Sequence, residues 1–264
     1  MKRLALALVL FVGIAARAEA VDYTDIWYNS AQPGYGFNLV ESDDGKGAPF
    51  LFATFFIYGS GGAPTWYTAQ LAWNGTDAFT GNVYSTMGTF FAAPWNPTTF
   101  FAMQAGTASF KPNPNNDYQG TLTYTVTGVG SATVALVRQT LTPIATAGLY
   151  VGGQSGTYSA CATPANNGAY LDNFELQVTH NVATGDVTMQ FDYPGLTCLF
   201  IGKYAQNGKS LSIPNASYTC SDGTNVTAQV TEIRRNALGI EGRFSAKGGF
   251  DNCTETAVFS GPLQ

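Results

Sequence analysis

The single histidine of the sequence, His180, limits the nucleophilic chemistry open to this chain. Any Ser-His-Asp or Cys-His arrangement would have to include it. Phe174, Leu176 and Val178 precede it at alternating positions, which places His180 at the end of a predicted strand and on the same face. The chain contains no G-x-S-x-G nucleophile turn. We therefore interpret His180 as a structural residue at a barrel rim, and keep a hydrolase that uses it as an alternative.

Paired carboxylates are the second possible source of catalysis, because glycoside hydrolysis needs one protonated and one ionised acid close together. The candidates are Asp172 with Glu175, and Glu41 with Asp43 or Asp44. The Asp43-Asp44-Gly45 segment is typical of a solvated hairpin turn. Glu175 is expected on the strand face opposite Phe174, where it would contact water. The sequence therefore leans away from an enzyme, with a hydrolase of unfamiliar type built on Asp172 and Glu175 kept as an alternative.

The four cysteines are spaced unlike the ligands of a metal site, and four cysteines in an exported chain predict disulfides. Asn207-Gly208 is a strong tight-turn dipeptide that lies about midway between Cys198 and Cys220. Of the three possible pairings, this favours Cys198–Cys220 together with Cys161–Cys253. The sequence predicts no metal site and no cofactor.

The sequence contains many aromatic residues suited to ligand binding, and few residues suited to catalysis. Tyr67 and Trp73 share one face of a predicted strand, and Trp66 and Gln70 share the other. Flat rings at the mouth of a barrel would stack on a sugar or an apolar ligand, while amides would fix its orientation. The alternative is that the rings form the core of a module that has no cysteine. The predicted ligand-binding residues are Trp27, Tyr28, Tyr35, Asn38, Trp66, Tyr67, Gln70, Trp73 and Trp95.

The segment from Phe90 to Phe101 contains five aromatic residues, so its position bears on whether the first half binds a ligand. Such a loop either folds back as a lid or stays exposed as a contact surface. We expect the N-terminal barrel to hold its ligand under this loop.

The N-terminus and the overall charge indicate where the protein acts. Lys2 and Arg3, an apolar stretch and Ala18-Glu19-Ala20 predict a signal peptide over residues 1–20. No later run approaches the roughly 18 apolar residues of a membrane helix. The remaining chain has nine basic and sixteen acidic residues, a net charge of −7, which argues against nucleic acid as a partner. We expect a secreted or periplasmic protein.

Composition and patterning predict the fold class. Charged residues make up only 11% of the chain and glycine is abundant, as is typical of strands and turns. Short alternating segments separated by Gly, Asn, Asp and Pro clusters suggest about seven or eight strands in each half. Residues 21–145 hold all four tryptophans and residues 146–264 hold all four cysteines. The sequence thus predicts two small antiparallel barrel-like or sandwich modules in tandem, one aromatic-rich and one stapled by disulfides.

A series of motifs in the first half resembles those of a family of exported bacterial β-barrel proteins. The motifs are Trp27-Tyr28-Asn29, Gly34-Tyr35-Gly36-Phe37-Asn38, Phe52-Ala53-Thr54-Phe55-Phe56-Ile57-Tyr58 and Pro64-Thr65-Trp66-Tyr67. The second half is similar to the cysteine-containing β module found behind it, at Cys198, Tyr218-Thr219-Cys220, Gly242-Arg243-Phe244 and Cys253. The resemblance implies small β-barrel modules in an exported bacterial protein. Tyr35 and Phe55 stand where that family often has tryptophan, which would narrow a stacking surface.

These observations together predict an exported, non-catalytic binding protein whose N-terminal barrel takes an apolar or carbohydrate ligand. An inhibitor of, or docking partner for, a secreted hydrolase is an alternative, because a loop on a rigid disulfide-bonded barrel suits that role. The hydrolase built on His180 or on the Asp172 and Glu175 carboxylates is the other alternative.

Overall fold

The structure, a computed structural model, describes residues 21–264, and the signal peptide predicted for residues 1–20 lies outside the described residues. The described chain is all-β and consists of two antiparallel sheets in tandem, as the sequence predicts. Its helical content is limited to three short 3-10 turns at Pro97–Thr99, Pro164–Asn166 and Phe250–Asn252. In the part of the chain that the structure describes, no helix is long and apolar enough to cross a membrane.

The first sheet is a closed eight-stranded barrel in which each strand pairs with the next along the chain. Pairing of Trp27 with Arg138 and of Tyr28 with Val137 joins the first strand to the last and closes the barrel. The strands are β1 (Asp25–Tyr28), β2 (Gly36–Asp43), β3 (Pro49–Tyr58), β4 (Pro64–Trp73), β5 (Phe79–Met87), β6 (Phe101–Asn113), β7 (Asn116–Val126) and β8 (Gly130–Arg138).

The second sheet has nine strands, and its order is β12-β11-β10-β9-β17-β16-β15-β14-β13. An additional pairing of β12 with β14 joins the two sides of this order, so these strands also form a closed ring. The strands are β9 (Gly148–Ser159), β10 (Gly168–His180), β11 (Asp186–Tyr193), β12 (Leu196–Lys203), β13 (Ala205–Asn207), β14 (Ser210–Cys220), β15 (Asn225–Arg235), β16 (Gly239–Lys247) and β17 (Thr254–Pro262).

Two disulfides stabilise the second barrel, and they are the two that the sequence favours. Cys198 and Cys220 are direct partners in the β12–β14 pairing, so their disulfide lies where the ring closes. Cys161 and Cys253 join the β9–β10 connection to the segment before β17. Disulfides persist in oxidising compartments, so both bonds fit a protein that acts outside the cytoplasm.

Several strands are longer than the sequence suggested. The sequence pattern predicts a strand only at Thr107–Phe110, which lies inside β6, Phe101–Asn113. It predicts another at Gly156–Ala160, which overlaps only the last part of β9, Gly148–Ser159. The extra residues include glycines and polar residues that read as breakers in the sequence. They are strand residues here because neighbouring strands pair with them, at Met87 and Phe101 for example.

Apolar side chains fill both barrels, since inward-facing positions alternate with outward-facing ones along each strand. Inside the first barrel, aromatic rings meet edge to face; the centroids of Phe37 and Phe55 are 5.0 Å apart. The second core contains Phe174, Phe191 and Phe200 together with many aliphatic side chains.

The two barrels meet through a polar junction. The Lys209 amide donates to Asp25 Oδ2 at 3.0 Å, and the Glu232 amide donates to the Tyr118 hydroxyl at 3.2 Å. Arg234 forms an ion pair with Asp22 at 3.0 Å. These contacts lie at the end of the first barrel where β1 begins. The opposite, distal end carries the connections at 29–35, 59–63, 88–100 and 127–129.

Candidate functional site

Trp27, predicted to line a barrel mouth, lies in the core of the first barrel. Its side chain is 0% exposed and its indole N–H donates to the Tyr23 carbonyl at 3.0 Å. The ring packs edge-on against Phe110, and the Arg138 guanidinium lies 5.0 Å from the indole centroid. A ligand cannot reach this ring, so the predicted binding role of Trp27 is corrected to a structural one.

Three other predicted residues, Tyr35, Tyr67 and Trp73, are partly buried and pack against the same core. Tyr35 contacts Phe37 near the distal end, and Trp73 contacts Phe79 near the junction end. The first barrel therefore does not bring these rings together around one ligand. Their inward faces complete the packing of the two barrel ends instead.

The remaining predicted strand residues come together on the outer wall of the first barrel. Cross-strand pairing places Tyr28 beside Gly36, Gly36 beside Phe56, and Phe56 beside Trp66, which makes one row across four strands. We name these four residues the outer aromatic row. Phe56 is 57% exposed and Trp66 is 51% exposed.

Gly36 leaves a gap in this row between two rings. A Cβ atom at this position would lie 3.1 Å from the Trp27 carbonyl oxygen, tighter than an ordinary contact. With no side chain there, Tyr28 and Phe56 flank an open strip of backbone. Adjacent strands are about 4.8 Å apart, so the two flanking strands are roughly 9.6 Å apart, enough room for a flat ring between them.

Polar side chains form the next row on the same wall. Asn38 pairs with Thr54, and Thr54 pairs with Thr68, one step along each strand from the aromatic row. Gln70 is exposed one further step along and is the partner of Phe52. The wall thus combines rings with amides and hydroxyls. Sequence reasoning missed Phe52 and Phe56 as site residues, although both faces of β3 are visibly apolar.

The segment from Phe90 to Phe101 does not cover a barrel mouth. Phe91 is 101% exposed and Trp95 is 66% exposed, with Trp95 tilted against Phe100 at 6.4 Å. The expectation that a ligand lies under this loop is therefore wrong for this structure, because the rings point into solvent.

A surface cleft of about 720 Å³ lies on the flank of the second barrel, next to Asp22. Its charged side chains pair with one another: Arg234 with Asp22 at 3.0 Å and with Glu241 at 3.6 Å, and Arg243 with Glu232 at 3.1 Å. Asp172 also lines this cleft. The ion pairs join the walls of the cleft and the junction.

The residues of the hydrolase alternative are separated. His180 Nδ1 lies 3.2 Å from Thr146 Oγ1, and its ring meets Tyr204 edge-on at 4.7 Å. Burial lowers the pKa of His180 below its usual value, which favours the neutral ring. Asp172 and Glu175 are both exposed, and being three positions apart in one strand they face opposite sides of the sheet. This arrangement matches a packed rim histidine and two solvated acids.

A buried carboxylate in the second barrel is the feature that sequence reasoning missed. Tyr170 donates a hydrogen bond to Glu255 Oε1 at 2.5 Å, and Tyr218 donates to Oε2 at 3.5 Å. Tyr158 stacks on Tyr170 at 4.8 Å. Burial raises the pKa of Glu255, and the tyrosine hydrogen bonds oppose that rise. The sequence pattern could have shown this. Glu255, Ala257 and Phe259 occupy every second position of β17 and so share the strand face that points into the core.

One group of possible metal ligands occurs among the described residues, formed by Cys161, Asp251 and Cys253. The two cysteine sulfurs are bonded to each other, which leaves no thiolate to bind a cation. Asp251 accepts hydrogen bonds from Thr163 and Asn166. The group is therefore a disulfide-linked loop contact.

Comparison with known protein families finds none that matches the chain, and comparison with curated proteins finds none either. Among solved structures, a proposed outer membrane protein from Bacteroides fragilis NCTC 9343 is 14% identical, with a TM-score of 0.34 over 90% of this chain and 94% of that one. A tryptophan-to-alanine mutant of the vaccine antigen transferrin binding protein B from Haemophilus parasuis Hp5 is 9% identical, with a TM-score of 0.31 over 88% of this chain and 67% of that one. Both similarities are weak, so the function proposed below rests on the residues of this chain.

Proposed function

We propose that the protein is an exported, non-catalytic carbohydrate-binding protein, acting in the periplasm or outside the cell. The observation that carries this proposal is the outer aromatic row, in which Tyr28, Phe56 and Trp66 share one accessible wall with a glycine between the first two. The apolar face of a sugar ring stacks on such side chains.

The polar neighbours of the row support a sugar over a purely apolar ligand. Asn38, Thr54, Thr68 and Gln70 place amides and hydroxyls beside the rings. A sugar offers hydroxyl groups around the edge of its apolar face, so it can stack and hydrogen-bond at once. A purely apolar ligand would leave these polar groups without a role.

Binding to polysaccharides tests the proposal. We expect the protein to be retained by at least one of cellulose, chitin and peptidoglycan, and the F56A and W66A variants each to bind about tenfold more weakly, since each loses a stacked ring. Equilibrium depletion from solution measures the affinity, and circular dichroism checks that the variants are folded.

Trp95→Ala is the matched control, because Trp95 is at least as exposed as Phe56 and Trp66 but lies outside the row. Retention by none of these polysaccharides, or equal binding by wild type, F56A and W66A, would contradict the proposed function.

A further inference from the structure

The hairpin between β5 and β6 extends beyond the wall of the first barrel. The last pair between β4 and β5 is Thr68 with Tyr84, and the first between β6 and β7 is Gly106 with Val126. Between these limits β5 and β6 pair only with each other, as Met87 does with Phe101. We name residues 85–103 the arm. It projects at the distal end, away from the second barrel.

The arm and its base carry no charge. No Asp, Glu, Lys, Arg or His occurs between Asp77 and Lys111, a stretch that includes all of β5 and most of β6. Asp77 and Lys111 form an ion pair with each other at 2.6 Å, toward the junction end. The chain as a whole is acidic, so this neutral stretch is a local exception.

Polar groups at the tip of the arm bond to one another. The Asn96 amide donates to Thr89 Oγ1 at 2.9 Å, and the Thr98 amide donates to Asn96 Oδ1 at 3.0 Å. The hydroxyls of Thr89 and Thr99 are 2.9 Å apart. Pro94 and Pro97 have no N–H to satisfy. The tip therefore has many of its hydrogen bonds made internally.

The apolar side chains of the arm point outward. Apolar rings of a β-barrel usually pack in its core, but those of the arm face solvent. The exposed residues are Met87, Phe90, Phe91, Trp95, Phe100, Phe101 and Met103.

From this combination we propose that the arm inserts into the interfacial region of a phospholipid bilayer. Internal hydrogen bonding lowers the cost of moving backbone and hydroxyl groups out of water. Aromatic rings favour the membrane–water interface. A specific protein partner would be matched by charged or hydrogen-bonding groups around the contact, and the arm presents few of either.

The charge of the chain predicts which bilayer the arm enters. With a net charge of −7 over residues 21–264 and a neutral arm, attraction to anionic headgroups supplies no binding energy. Binding comes from apolar burial, so the protein binds zwitterionic vesicles at least as well as anionic ones, and salt up to about 0.5 M does not release it.

Co-flotation with phosphatidylcholine vesicles tests this inference, using the full exported chain. We expect wild type to float with the vesicles, and F91S/W95S to show a partition coefficient about a hundredfold lower, roughly tenfold for each ring removed. Lipids brominated in the acyl chains should quench tryptophan emission in wild type, and this quenching should be lost in W95F.

L171S/L238S is the matched control, because both leucines are strongly exposed on the second barrel; it should float like wild type. F56A/W66A should also float, so this inference and the proposed carbohydrate site fail separately. Absence of wild-type binding to phosphatidylcholine, binding that needs anionic lipid and is released by salt, or equal binding by F91S/W95S would each overturn the inference.

Discussion

Glu255 shows how a barrel core accommodates a carboxylate. An ionised acid in an apolar interior is costly unless donors satisfy it, and here hydroxyls of Tyr170 and Tyr218 supply hydrogen bonds. Gln154 extends the network, since it donates to the Tyr170 hydroxyl at 3.2 Å and accepts from Tyr193 at 2.7 Å. The group lies near both disulfides, at the end of the second barrel that faces away from the junction.

The raised pKa of Glu255 predicts a pH-dependent part of stability that the E255Q variant should lack. The folded protein holds this proton to higher pH than the unfolded chain, whose value is near 4.5. The contribution is therefore complete below pH 4.5 and is lost as the pH rises through the folded pKa. The unfolding free energy of wild type should fall relative to that of E255Q by about 1.4 kcal/mol for each pH unit between the two pKa values.

Urea unfolding of both proteins from pH 4 upward measures this difference, and comparing them cancels most of the contributions of other titrating groups. E175Q is the matched control, since Glu175 is an exposed acid in the same barrel, on strand β10. Parallel pH profiles for wild type and E255Q would show that the acid titrates as it does in the unfolded chain.

Tryptophan residues show what sequence can establish at the residue scale. The residue types, their concentration in the first half and the alternation in β4 are all visible in the sequence. Trp27 and Tyr28 are adjacent, so one must face inward and the other outward, but alternation alone does not say which. Packing decides it, because Trp27 fits against Phe110 and Arg138 in the core. The structure therefore places part of the predicted set on the outer wall and part in the core, and none of it around one barrel mouth.

At the scale of elements, the sequence pattern predicts strands at Pro49–Tyr58 and Pro64–Trp73, the same bounds as β3 and β4, but it does not give the bounds of β6 and β9. β3 and β4 have continuous apolar or alternating runs bounded by glycine and proline. β6 includes Gly106, and its outer part forms the arm, where pairing with β5 alone defines it as a strand. Pairing of this kind depends on residues outside the segment, so a local pattern cannot reveal it.

Close approach of strands in the first barrel predicts the effect of a glycine substitution in β5. A Cβ atom at Gly81 would lie 1.9 Å from the Gln70 carbonyl oxygen of β4, so the two strands must move apart in Gly81→Ala. We expect a loss of about 1 to 3 kcal/mol in unfolding free energy, typical of overpacking. Chemical denaturation followed by tryptophan emission measures it.

Thr80→Ala, at an exposed neighbour in the same strand, should change stability by less than about 0.5 kcal/mol. Equal stability of the two variants would mean that the barrel wall relaxes freely at this point.

Over the whole molecule, the two barrels are stabilised in different ways. The four tryptophans lie in the segment of the first barrel, and both disulfides lie in the second. This asymmetry is readable from the sequence, and the predicted break near residue 145 falls in the connection between β8 and β9. The pairing of β9 with β17 is not readable from a local pattern, because the two strands are about a hundred residues apart in the chain.

The same asymmetry predicts how the molecule unfolds after reduction. A disulfide of this loop length contributes about 3 kcal/mol, so dithiothreitol should destabilise the second barrel and leave the first intact. Tryptophan emission reports on the first barrel alone, whereas far-ultraviolet circular dichroism follows both barrels. We expect one denaturation transition in the oxidised protein and two in the reduced protein, with the midpoint of the tryptophan transition unchanged.

C198A/C220A should show the same two transitions without reductant. If the tryptophan transition instead moves together with the circular dichroism, the polar junction through Asp25 and Lys209 couples the barrels into one cooperative unit.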